Sequence, residues 1–234
     1  SALSSAQIGV LTTTQVDALT TTQIAGLSSA ALAAFGTDDL ATFSSADIAA
    51  ISSKAIAGLS TANVAALTTA QTAGLASTQV AALSTSQVGV LTTGQVSSLT
   101  TAQTAALTST QVKVLSTASV AALTTGQVAV LGTAAVSALT TAQIDAFSTA
   151  QVEALTTGQV AVLGSAAITA LAAADLATFS TADIAAISTK AIKGVETGDF
   201  AALGSDQILA FTSTQIGAMT DDQVSAIIAK YQSI

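Results

Sequence analysis

Large apolar residues recur at every eighth position from Leu3 to Ile227, and no insertion or deletion interrupts this period. A typical octad is Leu123–Val130, LTTGQVAV, in which Leu is followed by two hydroxyl residues, a variable residue, Gln and Val. Such strict phase is typical of a solenoid, in which each repeat packs only on its neighbours. The pattern therefore predicts one structural unit per octad.

Each typical octad carries the signals that begin an α-helix. Counted from the Leu, position 2 is usually Ser or Thr and position 5 is usually Gln or Asp. The Thr124 hydroxyl can accept from the backbone N–H of Gln127, whose side chain can return a bond to the cap, which makes a capping box. Leu123 and Val128 have the spacing of a hydrophobic staple. We therefore predict helices of about six residues, stabilised by stacking because isolated helices below about 12 residues are marginal.

Positions 1 and 6 and a small residue at position 8 are predicted to form the buried stripe, and the surface is expected to consist of Thr, Ser, Ala and Gln. A β-solenoid is the alternative, since Thr and Val favour strands. However, the apolar positions do not alternate with period two, and most octads lack turn residues such as Asn or Pro. The sequence therefore favours an all-α solenoid of short helices, one per eight-residue repeat.

A longer period is visible in the glycines, since Gly94, Gly126 and Gly158 recur every four octads. Duplication history explains this spacing. Four short helices per superhelical turn also explain it, because equivalent glycines would then stack in one column. We slightly favour the structural interpretation, which predicts four repeats per superhelical turn.

One segment of the chain is duplicated. The string FSSADIAAISSKAIAG from Phe43 recurs as FSTADIAAISTKAIKG from Phe179. Each copy carries an Asp at position 5 and, in the following octad, a lysine, Lys54 or Lys190. Duplication with a solvated ion pair of little energetic value is one interpretation. A repeated contact face is the other, which makes Lys54 and Lys190 possible interface residues.

The C-terminal octads depart from the pattern. Thr220 begins a strong capping sequence, TDDQ, and Ile228 replaces the expected Ser or Thr, so nothing interrupts the helix. We predict a longer helix at about 220–232, and two segments: a repeat solenoid over 1–219 and a capping or docking helix over 220–234. Four residues spaced i, i+3, i+4 and i+7 form one apolar face and are further possible interface residues: Val224, Ile227, Ile228 and Tyr231.

The residue types present exclude most catalytic chemistry. The chain has no His, Cys or Arg, which excludes Ser-His-Asp triads, thiol nucleophiles and most transition-metal sites. It has no Gly-rich phosphate loop. The acidic pairs Asp38-Asp39 and Asp221-Asp222 lack the ligand spacing of a calcium loop. We therefore expect no enzyme activity, no catalytic residue, no cofactor and no metal.

Charge and hydropathy limit the classes of partner that the chain is expected to bind. The net charge of −8 argues against nucleic acid, because nothing could neutralise a run of phosphates. Ser, Thr and Gln interrupt every window of about 18 residues, so no membrane insertion is expected. Only 8% of residues are charged, and such a surface favours association. Heterologous contacts that do not close give filaments, so we predict a homo-oligomer or filament.

Octads of the form [LF]-[ST]-[ST]-x-[QD]-[VI]-x-[AG] fill residues 3–226. They resemble octapeptide tracts of very large secreted bacterial surface proteins of the adhesin-like kind. The resemblance implies an extracellular or cell-surface structural role without catalytic residues. Our first hypothesis is a structural protein that forms or contributes to an extracellular bacterial filament, sheath or stalk by self-assembly of a repeat rod. The alternative is a binding or adhesion module that presents a Thr/Ser-rich face to a surface, a glycan or ice.

Overall fold

The computed structural model describes residues 3–233, a range that contains short helices and no β-strand. Residues 1, 2 and 234, at the outer limits of the predicted segments 1–219 and 220–234, lie outside this range. The chain divides into two compact units, Ser1–Ala122 and Leu123–Ile234. Within each unit, short helices from successive turns pack on one another, so the predicted all-α solenoid is confirmed.

Residues 3–233 form 25 α-helices and three 3₁₀ helices, labelled η, at close to one helix per octad. In chain order they are α1 (Ser5–Ile8), α2 (Thr13–Asp17), α3 (Thr21–Ala25), α4 (Ser29–Leu32), α5 (Thr37–Ala41), α6 (Ser45–Ala50), η1 (Ile56–Gly58), α7 (Thr61–Ala66), α8 (Thr69–Gly74), α9 (Ser77–Ala82), α10 (Thr85–Gly89), α11 (Thr93–Ser98), α12 (Thr101–Ala105), α13 (Ser109–Lys113), α14 (Thr117–Ala121), α15 (Thr125–Val130), α16 (Thr133–Ala138), α17 (Thr141–Asp145), α18 (Thr149–Glu153), α19 (Thr157–Val160), α20 (Ser165–Ala170), α21 (Ala173–Leu176), α22 (Thr181–Ala186), η2 (Ile192–Gly194), η3 (Asp199–Ala201), α23 (Ser205–Leu209), α24 (Ser213–Ile216) and α25 (Asp221–Gln232).

The octad that begins at Leu123 folds as its sequence predicts. The backbone N–H of Gln127 donates to the Thr124 hydroxyl at 3.2 Å, and the Thr124 N–H donates to Gln127 Oε1 at 2.7 Å. This is a complete capping box at the start of α15. Leu123 and Val128 are both buried, as a hydrophobic staple requires.

The buried stripe differs from the prediction at one position. Positions 1 and 6 are buried, but Val130 at position 8 is half-exposed, whereas Gln127 at position 5 is only 2% exposed. From Gln71 onward, every position-5 glutamine is buried. The expectation that these glutamines face solvent was wrong, because their amide groups bond to the neighbouring turn.

The coil is tighter than the predicted four repeats per turn. Helices that pack on one another lie three octads apart, as α6 and α8 do, or α17 and α20. Hydrogen bonds between neighbouring turns join residues 25 to 31 positions apart, so a turn takes more than three and fewer than four octads. The glycines therefore form no column: a Cβ on Gly94 would lie 3.6 Å from Thr69 Cγ2, whereas nothing comes within 4 Å of a Cβ on Gly158.

Three octads end in a single 3₁₀ turn instead of the predicted α-helix. Two of them, η1 and η2, occupy equivalent places in the duplicated segments and close with Gly58 and Gly194. A Cβ on these glycines would lie 2.0 and 2.2 Å from the carbonyl oxygens of Ser29 and Ser165 in the preceding turn. No side chain fits such a gap, so the close approach of two turns reserves these positions for glycine.

The longer helix predicted after Thr220 is present as α25. The Thr220 side chain accepts from the Gln223 N–H, and Asp221 and Asp222 occupy the first turn, where acids suit the helix dipole. The helix runs for 12 residues because Ile228, in place of Ser or Thr, directly follows Ile227 and starts no new cap. It packs against η3 and α23 in the same unit.

Candidate interaction surfaces

The buried glutamines of six consecutive octads join each turn to the one before it. In Gln95, Oε1 accepts from the Thr92 N–H, while Nε2 donates to the carbonyls of Val64 at 2.8 Å and Leu67 at 2.7 Å. One side chain thus caps its own helix and pairs two buried carbonyls of the preceding turn. We call residues 67–114 the glutamine ladder; its position-5 residues are Gln71, Gln79, Gln87, Gln95, Gln103 and Gln111.

Sequence reasoning gave these glutamines a capping role only and missed the bond between turns. A signal for it was present in the choice of residue. A cap needs only an acceptor oxygen, which Glu or Asp supplies as well as Gln does. A repeated preference for Gln indicates that the NH₂ group also has a partner, since Gln is both donor and acceptor.

Two segments lack these glutamines, and at their aspartates Asp47 and Asp183 the bond runs in the opposite direction. We call residues 27–66 and 163–202 the glutamine-poor segments. Thr21 Oγ1, in the turn before the first segment, donates to Asp47 Oδ1 at 2.7 Å. In the same way, Thr157 Oγ1 donates to Asp183 Oδ1 at 2.7 Å. These segments are related by the duplication, and their position-5 residues are Ala31, Asp39, Asp47, Ala55 and Asn63, then Ala167, Asp175, Asp183, Ala191 and Asp199.

Acids at position 5 meet two different environments. Burial works to raise the pKa of Asp47, but hydrogen bonds from the Ser44 and Thr21 side chains and the Ser44 backbone outweigh it and leave that pKa below its ordinary value of 3.8. For Asp199, which is 7% exposed, burial prevails. Together with the charge of Glu196 it raises the pKa of Asp199, although the Glu196 N–H donates to the carboxylate.

The lysines proposed as interface residues lie on the surface. Lys54 and Lys190 occupy equivalent exposed turns before η1 and η2, and neither makes an ion pair or hydrogen bond with another residue of the described range. Asp47 and Asp183 instead cap α6 and α22. The predicted solvated pair is therefore not formed there, and an interface role for these lysines stays a prediction.

The predicted apolar face of α25 contributes to a groove with a volume of about 290 Å³. Ile227 faces the core, whereas Ile228 and Tyr231 are 49% and 59% exposed. Sequence reasoning missed Leu209, which is 64% exposed, although a Leu at position 7 is unusual among the octads. We call this surface the C-terminal groove; it is lined by Ile208, Leu209, Phe211, Ile216, Val224, Ile227, Ile228 and Tyr231.

Two surfaces carry groups of the ladder type that no described residue pairs. In residues 3–26, which we call the amide turn, the Nε2 groups of Gln7, Gln15 and Gln23 donate to no other described residue and are exposed. Near the C-terminal groove, the carbonyls of Ile208 and Phe211 accept no side-chain amide from the described residues. Elsewhere, such amides and carbonyls are the partners that join turns.

Residues 3–233 contain neither a membrane-spanning helix nor a metal-binding cluster. No helix in that range combines the length and the apolar character that crossing a membrane requires. No cluster of three or more acidic, His or Cys side chains in it could hold a metal ion.

Comparison with known proteins identifies the repeat. A family model described as the ALTTAQ repeat matches residues 1–29, 40–77, 120–157, 128–165, 136–173 and 192–227. The overlapping matches are displaced by eight residues, in agreement with the octad. No curated protein matches the chain. These findings establish a repeat protein, whereas the resemblance to adhesin-like tracts stays a prediction.

Proposed function

We propose that this chain, which belongs to the ALTTAQ repeat family, is a structural protein that self-assembles into an extracellular bacterial filament, sheath or stalk. The observation that carries the proposal is the C-terminal groove. It exposes Leu209, Ile228 and Tyr231, whereas the apolar residues at positions 1 and 6 in the middle of each unit are covered by the next turn. The occupant that best matches such a surface is a turn of the same repeat from a second copy.

Hydrogen-bonding groups support the same occupant. Within the ladder, glutamine amides always point to carbonyls of the turn nearer the N-terminus. The amide turn therefore offers donors, and the groove side offers the Ile208 and Phe211 carbonyls as acceptors. The two surfaces differ, so a contact between them is heterologous, and a heterologous contact that does not close produces a filament.

Apolar groups support it as well. Leu3, Leu11 and Leu19 of the amide turn are half-exposed, and Val10 is 80% exposed, although position 1 is buried in every octad from Leu27 to Phe211. Leucines and valines of this kind are suited to the apolar groove beside Leu209. A location outside the cell is part of the proposal and rests on the resemblance of the octads to secreted surface tracts.

Sedimentation velocity over a range of concentrations, with negative-stain microscopy, tests the proposal. We expect filaments or growing oligomers, and the double variant Leu209→Ser/Ile228→Ser should remain monomeric because it removes the exposed apolar groups of the groove. Val114→Ser is the matched control, since Val114 is an exposed valine outside the groove. A wild-type chain that stays monomeric at every concentration, salt and pH would overturn the proposal.

A second pair of variants tests the amide turn. Gln15→Glu/Gln23→Glu keeps the capping oxygens of two exposed side chains but removes both donors and adds charge. We expect this variant to fold normally by circular dichroism and to lose assembly. Unchanged assembly would show that the groove is filled by something other than the amide turn.

An adhesion module is the second candidate, and one observation favours it. Hydroxyl residues at position 3, such as Thr69, Thr93 and Thr117, are exposed in successive turns. Such a face could engage a surface, a glycan or ice. The Leu209→Ser/Ile228→Ser monomer discriminates between the two functions, because an adhesion module would still bind glycans or shape ice crystals without polymerising.

A further inference from the structure

Asn63 and Asp199 are equivalent residues of the two glutamine-poor segments, and they differ in one chemical group. Both occupy position 5 and both are buried. Asn63 Nδ2 donates to the carbonyl of Phe35, 28 residues earlier, at 3.0 Å. The duplication makes Leu171 the counterpart of Phe35. A carboxylate cannot donate to that carbonyl, whereas a neutral carboxylic acid can.

One oxygen of Asp199 already has a partner. Its Oδ2 accepts from the Glu196 N–H at 2.7 Å, which leaves the second oxygen as the only group able to replace the Asn63 amide. When it is ionised, this oxygen can only accept, so it cannot pair with a carbonyl of the preceding turn as the Asn63 amide does. When it is protonated, the hydroxyl can donate to the preceding turn. The hydrogen bond that only the protonated form can donate therefore favours protonation of the buried carboxyl.

Among the charged groups on the elements around Asp199, Glu196 favours the proton. Glu196 is on the same octad, Asp175 is on α21, and α25 carries Asp221 and Asp222. Lys230 on α25 is the opposing charge, and its Nζ is held by the Ala201 carbonyl at 3.0 Å. Burial and the Glu196 charge raise the pKa of Asp199 above 3.8.

We propose that residues 195–203 form a pH-sensitive joint, in which protonation of Asp199 completes a hydrogen bond to the Leu171 carbonyl and tightens η3 on α21. The sign follows from the direction of the shift. A carboxyl whose pKa is raised by folding binds more protons in the folded state, so local stability falls as pH rises through the raised pKa. The joint is thus tighter below the raised pKa and looser above it.

Amide hydrogen exchange of residues 195–203 between about pH 4 and pH 7, corrected for intrinsic exchange rates, tests the joint. One gained hydrogen bond should raise protection in the wild type by about three- to tenfold as pH falls. Asp199→Asn should hold the high protection at every pH, because its amide donates permanently. Residues 59–66, with Asn63, are the internal control and should show no such dependence.

The reciprocal variant completes the test. Asn63→Asp should introduce the same pH dependence into residues 59–66, where the wild type has none. Protection of residues 195–203 that does not change with pH in the wild type would overturn the proposal. So would an Asp199→Asn variant that is less protected at neutral pH than the wild type.

Discussion

The glutamine ladder and the glutamine-poor segments build the same kind of turn with different polar contacts. In the ladder, each side chain such as Gln95 caps one helix and donates to two carbonyls of the preceding turn. In the glutamine-poor segments, carboxylates accept hydrogen bonds from Thr21 and Thr157 of the preceding turn. Gly58 and Gly194 allow the backbones of two turns to touch. The hydrophobic positions are common to both regions, so the regions differ in the polar contact that position 5 makes with the preceding turn.

The first prediction concerns what the regions share. Leu91→Ala in the ladder and Leu171→Ala in a glutamine-poor segment should each lower the free energy of unfolding by about 2–5 kcal/mol, because both side chains are buried. Urea denaturation measures the loss. Leu209→Ala, at an exposed leucine, is the control and should change stability by less than about 1 kcal/mol. A large difference between Leu91 and Leu171 would contradict the common core.

The second prediction concerns the close approach of turns in the glutamine-poor segments. Gly194→Ala should destabilise the protein by about 3 kcal/mol, because the new methyl group would overlap the Ser165 carbonyl. Gly158→Ala places the same group in open space within α19 and should stabilise by about 0.5–1 kcal/mol. The midpoint temperature of thermal unfolding should therefore fall in Gly194→Ala and rise in Gly158→Ala. Equal changes in the two variants would refute the close contact at Gly194.

The third prediction concerns a variant that introduces the contact of the glutamine ladder into a glutamine-poor segment. Ala167→Gln places an amide at position 5 within reach of the Val136 and Leu139 carbonyls, at the same 31- and 28-residue spacings as in the ladder. We expect a gain of about 1 kcal/mol in the free energy of unfolding. Ala166→Gln, at the exposed neighbour, should stay within about 0.5 kcal/mol of the wild type. No gain at position 167 would mean that the segment cannot accept the ladder contact.

The fourth prediction, with the smallest expected effect, concerns Asp47, the position-5 acid of a glutamine-poor segment. Its pKa is lowered in the folded state, so it contributes stability above its unfolded pKa and loses that contribution as pH falls through the folded value. As pH falls from about 5 to about 2, the midpoint temperature of thermal unfolding should therefore decrease less steeply for Asp47→Asn than for the wild type. Thr21→Ala should reproduce part of this change, because it removes one of the donors. A steeper profile in Asp47→Asn would be the contrary result.

Local signals in the sequence predicted the helices well. Thr124, Gln127, Leu123 and Val128 lie within one octad, so their capping box and staple follow from short-range spacing alone. The same holds for α25, whose length follows from Ile228 in place of a hydroxyl residue. One face of that helix was predicted, and the groove that it borders was found only in the fold, because Leu209 and Ile216 come from earlier octads.

Contacts between turns were harder to predict, for a physical reason. Whether Gln95 reaches Val64 and Leu67 depends on the number of octads per turn, which is a property of packing between distant residues. The glycine spacing suggested four octads per turn. The glutamine amides bond to both the third and the fourth octad before them, which gives fewer than four octads per turn. Gly58 and Gly194 likewise reveal their role only beside Ser29 and Ser165.

The central claim is that the position-5 amide, as a donor, joins one turn to the next. Gln95→Glu tests it most directly, because Glu keeps the capping oxygen and the size of the side chain but cannot donate when ionised. Measured by urea denaturation at pH 7, Gln95→Glu should cost about 2–3 kcal/mol, since two buried carbonyls lose their partner beside a buried charge. Gln15→Glu, at an exposed glutamine whose contacts within one chain are confined to its own cap, should cost less than about 0.5 kcal/mol in the monomer. Equal costs at the two positions would contradict the claim.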